Sequence, residues 1–364
     1  HYPLRRQRQM CIRDRAQPVY AQQPQSGASE GIQDIVVTAR RTEESLQTTP
    51  IAVTALTPEA LTTAKVENVV DLQRTAPGLV IGRGSAGGDG IVFVAIRGQG
   101  NLQPILANDP AVATYIDGIY IPRPSTGMTD IQDVQRLEVL RGPQGTLFGR
   151  NTTGGAINIV TNDPNDQLSG AFKAEFGNYS TLGAQANINV PLAEGLAIRL
   201  SGAISDRDGY GDNFATHRDF SDNNSKFLRG KLKYEGNGWD LTLSGDWNRQ
   251  YNHGQQIALW AFNPAIVPAA FQPGLTAGLL TKDHWWGNTA TGTSVPATIG
   301  TLTPEARALY GVQPFNTLEV YGFSGTLNIE LGGLNFKSIT GYRHSMNYGQ
   351  NDTDGTAVPL LATF

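Results

Sequence analysis

From Leu168 almost to its end the chain alternates apolar and polar residues with a period of two. Gly170, Phe172, Ala174 and Phe176 interleave with Ser169, Lys173 and Glu175, and Leu182, Ala184, Ala186, Ile188 and Val190 interleave with Thr181, Gln185, Asn187 and Asn189. The pattern continues through Leu196–Ser205, Leu228–Tyr234, Trp239–Trp247, Tyr321–Leu331 and Leu334–Tyr342, which makes seven segments. A period of two places one residue class on each face of a strand. Segments of this length match a tilted crossing of the hydrocarbon layer. One apolar and one polar face is what a wall between lipid and a wet lumen requires. Connections alternate between tight turns (Glu194-Gly195, Gly236-Asn237-Gly238, Gly332-Gly333) and long stretches, the longest spanning 251–316. That is the asymmetry between the periplasmic and extracellular ends of outer-membrane barrels. Aromatic residues near strand ends (Phe176, Tyr210, Tyr234, Trp239, Trp247, Tyr342) suit an interfacial girdle. Unpaired strand edges find no water in lipid, so seven strands are expected to be part of a larger closed barrel.

Composition agrees. No run of eighteen apolar residues exists, so no helix is expected to span a membrane. Glycine is 42 of 364 residues, well above the usual share, which favours tight turns. The charge balance, 28 Lys+Arg against 32 Asp+Glu, gives no electrostatic footprint for nucleic acid. With one Cys and five His lacking ligand spacing, no metal site or cofactor is expected.

The first 162 residues read differently. Residues 1–33 are expected to be a flexible segment, artefactual or leader-derived. Its first fifteen residues are basic, lack an apolar core and look foreign to the fold. Val19-Tyr20-Ala21-Gln22 carries the small-residue end of a secretory cleavage site, so an export signal is expected before it. A short β-prone run, Asp34-Ile35-Val36-Val37-Thr38-Ala39, opens the segment 34–41. Residues 44–162 read as a small α+β domain. Thr57 caps a helix with Pro58 at its first position, and a second helix runs from Asn68 to about Thr75. Strands are expected at 51–55, 78–82, 92–97, 112–116, 119–121, 134–140 and 155–161, with Asp117-Gly118 turning a hairpin.

Three stretches in this domain are dense in motif: Val134–Thr161 (VQRLEVLRGPQGTLFGRNTTGGAINIVT), Ala95-Ile96-Arg97-Gly98-Gln99-Gly100 and Tyr115-Ile116-Asp117-Gly118-Ile119-Tyr120. Together they closely resemble the plug domain of TonB-dependent outer-membrane receptors, and the order leader, short box, plug, strands is the family's order. The fold implied is an α+β plug followed by an antiparallel transmembrane β-barrel, present as about seven of roughly 22 strands. The resemblance implies active import of a scarce, bulky solute, most commonly a ferric siderophore, with no covalent chemistry and hence no catalytic residue. It makes Asp34, Ile35, Val36, Val37, Thr38 and Ala39 the TonB box, which docks on the TonB protein of an inner-membrane, proton-driven complex. An extended segment of this kind can add a strand to a partner's sheet edge.

Arg97, Glu138 and Arg141 are charges in otherwise apolar strands; they are expected to pair inside the plug, to lock it to the barrel wall, or both. Gly98, Gly142, Gly145, Gly149, Gly154 and Gly155 are expected at tight turns and close backbone approaches. Ligand-facing candidates are Arg83, Gln99, Asn101 and Asn108 on plug loops, and Trp260, Trp285 and Trp286 on the long loop. The partners implied are TonB, outer-membrane lipid and a small-molecule or metal-chelate ligand. Uptake of a glycan, vitamin or haem, a signalling receptor and a passive channel are the competing readings.

Overall fold

A computed structural model describes residues 35–42, 44–66, 69–83, 92–101, 109–123, 132–213, 218–254, 315–352 and 362–363. Two small strands come first, β1 (Val36–Val37) and β2 (Glu44–Ser45), paired antiparallel. β3 (Val53–Leu56) then leads into the helix Pro58–Thr63. Thr57 caps that helix as expected: its hydroxyl accepts from the Ala60 amide, and Pro58 occupies a position that needs no amide donor. The second helix is a single 3-10 segment, Val69–Arg74, rather than an α-helix. Two adjacent valines and Pro77 close behind leave little room for a longer α-helix.

The strands that follow are β4 (Leu79–Arg83), β5 (Val92–Ile96), β6 (Gln99–Gly100), β7 (Val112–Ile116), β8 (Ile119–Ile121), β9 (Val134–Arg141) and β10 (Gly155–Thr161). They form a five-stranded sheet of order β3-β9-β10-β7-β8 and a three-stranded sheet β4-β5-β6. β7 and β10 pair in parallel, and the other pairs are antiparallel. Asp117 (φ 48°) and Gly118 (φ 81°) turn the β7–β8 hairpin, the two left-handed positions of a type I′ turn. A short helix, Gly145–Phe148, bridges β9 and β10. The main core gathers Val69, Leu72, Ile96, Leu137, Val139 and Ile157, all fully buried.

The alternating half forms one antiparallel wall. Its members are β11 (Ser169–Gly177), β12 (Thr181–Ala193), β13 (Leu196–Arg207), β16 (Asn223–Gly236), β17 (Trp239–Asn252), β18 (Phe315–Leu331) and β19 (Leu334–Asp352), with the two-residue β20 (Ala362–Thr363) at its edge. The small hairpin β14 (Gly211–Asn213) and β15 (Arg218–Phe220) stands in the connection after β13. Seven long strands therefore occupy the seven alternating segments. Phe172, Phe176, Leu228, Phe323, Phe336 and Tyr342 are exposed on one face, whereas Ala203, Phe227, Arg229, Lys231 and Val320 are buried on the other. The turns Glu194-Gly195, Asn237-Gly238 and Gly332-Gly333 fall at one end of the wall, where Tyr234 and Trp239 meet at 5.2 Å. Tyr179 and Tyr210 meet at 6.3 Å at the long-loop end.

Candidate functional site

The segment expected to be the box packs against the plug. Val37 and Ala39 are fully buried among Ala113, Tyr115, Leu140, Phe148 and Ala156. Val36 stays exposed, and Ile35 packs at the margin of the same cluster. The Thr38 amide donates to Glu138 Oε1 at 2.8 Å, and the Thr38 hydroxyl donates to the same carboxylate at 3.0 Å. Glu138, fully buried, also accepts from Arg136 Nε at 2.8 Å and Asn158 Nδ2 at 3.1 Å. Arg41, in a left-handed conformation (φ 61°), lays its guanidinium over Phe148 at 5.1 Å and over Tyr115 at 5.7 Å. Burial pushes the Tyr115 phenol above its ordinary pKa, against the opposing pull of Arg41. Asp34 lies outside the described residues.

The side chains that join the plug to the wall are not those the sequence pointed to. Glu138 binds Thr38, Arg136 and Asn158, all within the plug half of the chain. Arg97 sits in the turn between β5 and β6 (φ 52°), exposed, with its amide donating to Gly78 O at 2.7 Å. Arg141 makes no ion pair with a described residue, and its Nε is buried without a partner. Glu138 is thus satisfied within its own sheet, Arg97 lies at a turn, and Arg141 ends β9 with its Nε unpaired.

Three aspartates make the junction instead. Asp133 receives Arg199 Nε at 2.7 Å and Nη2 at 2.5 Å, and it also binds the Ser201 hydroxyl and Asn162 Nδ2. Asp117 faces Lys231 Nζ at 3.0 Å and accepts from the Thr161 amide at 2.8 Å and hydroxyl at 2.6 Å. Lys231 Nζ also reaches Asp163 at 2.8 Å, and Arg229 Nη1 donates to Gln132 O at 3.2 Å. Burial alone would push both Asp117 and Asp133 up. Lys231 and Arg229 beside Asp117, and donors from Arg199, Ser201 and Asn162 on Asp133, outweigh it and hold both below the ordinary carboxylate range. Asp117 was legible as a turn residue; its second role showed only in a complementary signal, the row of lysines and arginines on the polar face of the wall.

Among the six glycines, Gly98, Gly142 and Gly149 hold positive φ, and Gly154 and Gly155 hold close approaches. A Cβ on Gly155 would meet the Leu140 carbonyl oxygen. Gly145 has neither constraint: it begins the short helix, and a methyl group added there would meet nothing within 4 Å. Of the ligand candidates, Gln99 is exposed on β6, Asn101 Nδ2 donates to Asp109 O at 3.4 Å, and Arg83 ends β4. Asn108, Trp260, Trp285 and Trp286, like most of 251–316, lie outside the described residues. No group of three His, Cys, Asp or Glu suited to a metal occurs among the described residues.

Between plug and wall, at the tight-turn end, lies a cavity of about 620 Å³. Thr38, Arg41, Arg136 and Asp117 line it from the plug; Lys231, Lys233, Asp240, Thr242, Ser324 and Lys337 line it from the wall. The packed segment and the aspartate junction thus border one space.

Residues 45–156 match the TonB-dependent receptor plug domain. The pesticin receptor of Yersinia pestis is 31% identical over 163 residues, 44% of this chain and 23% of that protein. The iron-regulated outer membrane virulence protein of Vibrio cholerae is 26% identical over 205 residues, 51% of this chain and 30% of that protein. The chain thus spans about a quarter of the length of the curated relatives it matches. The crystal structure of the ferric yersiniabactin uptake receptor FyuA from Yersinia pestis superposes with a TM-score of 0.64 at 20% identity, covering 82% of this chain and 42% of that one. The chain thus carries a TonB-dependent receptor plug domain, followed by a strand wall that shares the fold of the ferric yersiniabactin uptake receptor.

Proposed function

We propose that the protein imports a ferric chelate across the outer membrane in a TonB-dependent manner. The observation that carries this reading is the pairing of a stowed, strand-forming segment with a plug held to the wall by discrete ion pairs. A segment that can be withdrawn, joined to a plug that can be moved, is what a pulling partner requires. A passive pore needs neither. The free edge of β1 beside exposed Val36 suits strand addition by TonB once the segment leaves its cluster. Iron is the favoured cargo because the relatives include an iron-regulated outer membrane virulence protein and the structural neighbours include a ferric yersiniabactin uptake receptor.

The test is radioactive-iron uptake into cells expressing the receptor, fed with a panel of ferric siderophores. Uptake of one of them that disappears on deletion of TonB, and on Val36→Pro, is the expected result. Iron entry that is indifferent to TonB, or entry of none of the panel, overturns the reading.

A further inference from the structure

The polar face of the wall carries more positive charge than it can neutralise by itself. In four successive register rows, from the Arg229–Asp246 row down to the Glu235–Asp240 row, that face presents Arg199, Arg229, Lys231, Lys233, Lys337 and Arg343. The acidic residues in the same rows are Glu235, Asp240 and Asp246. Glu235 pairs with Lys233 and Asp246 with Arg343, each at 2.5 Å, and Asp240 accepts from Asn328 at 2.8 Å. Among the described residues Arg199 and Lys231 have no acidic partner on the wall; theirs are Asp133 and Asp117 of the plug and Asp163 just after β10. Six cations face three wall acids, and the two plug acids with Asp163 make up the difference.

We infer that this strip is a lane for an anionic cargo, a chelate rich in carboxylate, phenolate or other negatively charged oxygens. The inference rests on the import reading above and narrows its substrate class. When the plug shifts, Arg199 and Lys231 lose their carboxylates. Both cations are then left facing the lumen without the carboxylates that balance them. An anion of the cargo replaces the departing aspartates oxygen for oxygen, whereas a cationic cargo meets the uncompensated strip and is repelled. The cavity of about 620 Å³ already lies along the strip, and Lys231, Lys233 and Lys337 project from its wall side. Thr242, Ser244, Ser324 and Thr326, between those lysines, offer neutral hydroxyls that pass oxygen-rich groups without trapping them. Charged side chains of one sign along a confined wall concentrate the opposite ion and set selectivity.

The receptor, reconstituted in a planar bilayer under a KCl gradient, is opened by a denaturant concentration that withdraws the plug, and the reversal potential is read. The expected sign is that of chloride permeation. Lys233→Gln combined with Lys337→Gln, neither lysine having a plug partner among the described residues, moves the potential towards zero. A cation-selective or unselective conductance, an unchanged potential in the double variant, or a wall that conducts nothing once the plug is withdrawn overturns the inference. Since the readout involves neither TonB nor iron, TonB-independent iron entry would strike the import reading while leaving this selectivity result intact.

Discussion

Replacing Glu138 with Ala should loosen the box segment without unfolding the plug. The carboxylate accepts two hydrogen bonds from Thr38, at 2.8 and 3.0 Å, one from Arg136 at 2.8 Å and one from Asn158 at 3.1 Å. Each hydrogen bond to a charged group contributes on the order of 1.5–3 kcal/mol. Losing both bonds to Thr38, with partial rescue by water, costs the docked segment roughly 3 kcal/mol. That corresponds to about a hundredfold more frequent opening. The buried side chains of Val37 and Ala39 and the β1–β2 pairing remain, so the docked form stays the majority state. Hydrogen–deuterium exchange of the intact receptor reads this directly, because the Thr38 amide is itself a donor to Glu138. Exchange at residues 35–39 should accelerate by about two orders of magnitude, and by far more than at β10, which loses one side-chain bond from Asn158 while its backbone pairs with β9 and β7 remain. If these amides exchange at the wild-type rate, or if the whole five-stranded sheet exchanges faster, Glu138 is not a latch for the segment.

Further predictions concern the junction and the plug turns. Asp133→Asn removes the carboxylate that receives both Arg199 bonds, and the plug's denaturant midpoint should fall by the equivalent of roughly 3 kcal/mol, as for a broken buried pair; an unchanged midpoint would show that Arg199 finds another partner. Asp117 and Asp133 have depressed docked pKa values, so their contribution is complete above the ordinary carboxylate value of about 4 and is lost as pH falls through the lower docked values. Plug stability should therefore be flat from neutral pH to about pH 5 and drop only in stronger acid, and a loss between pH 7 and 5 would point to another group. Gly155→Ala, at φ 150° with the Leu140 carbonyl in the way, should cost roughly 1–3 kcal/mol of plug stability, whereas Gly145→Ala should be nearly neutral by the same thermal or denaturant assay.

The wall was legible because a period of two admits few other structures: each alternating segment became a strand, and the tight glycine turns set the register. The Asp117-Gly118 hairpin and the Thr57 cap were also readable, because both rest on local chemistry. The junction was not. Asp133 and Asp163 sit at strand ends, where acidic residues are commonplace, and nothing in their neighbourhood names Arg199 or Lys231 some seventy residues away as partner. Arg97 and Arg141 drew attention by sitting in apolar runs, yet one turns out at an exposed bend and the other has no ion pair among the described residues. Long-range electrostatic pairing depends on which strand faces which, and that follows only once plug and wall are placed together.

The stowed segment also has a mechanical consequence. β1 is short and antiparallel to β2, and the Leu46 amide donates to Ile35 O at 2.8 Å at the segment's leading end. A load applied ahead of Ile35 falls on these bonds one at a time, as in unzipping, before it reaches the Thr38–Glu138 bonds behind them. Within the plug, β7 and β10 run parallel in the sheet's interior, an arrangement whose bonds share a load applied along the strands in shear. One chain end can thus be peeled away as a handle while the body it is tied to resists deformation.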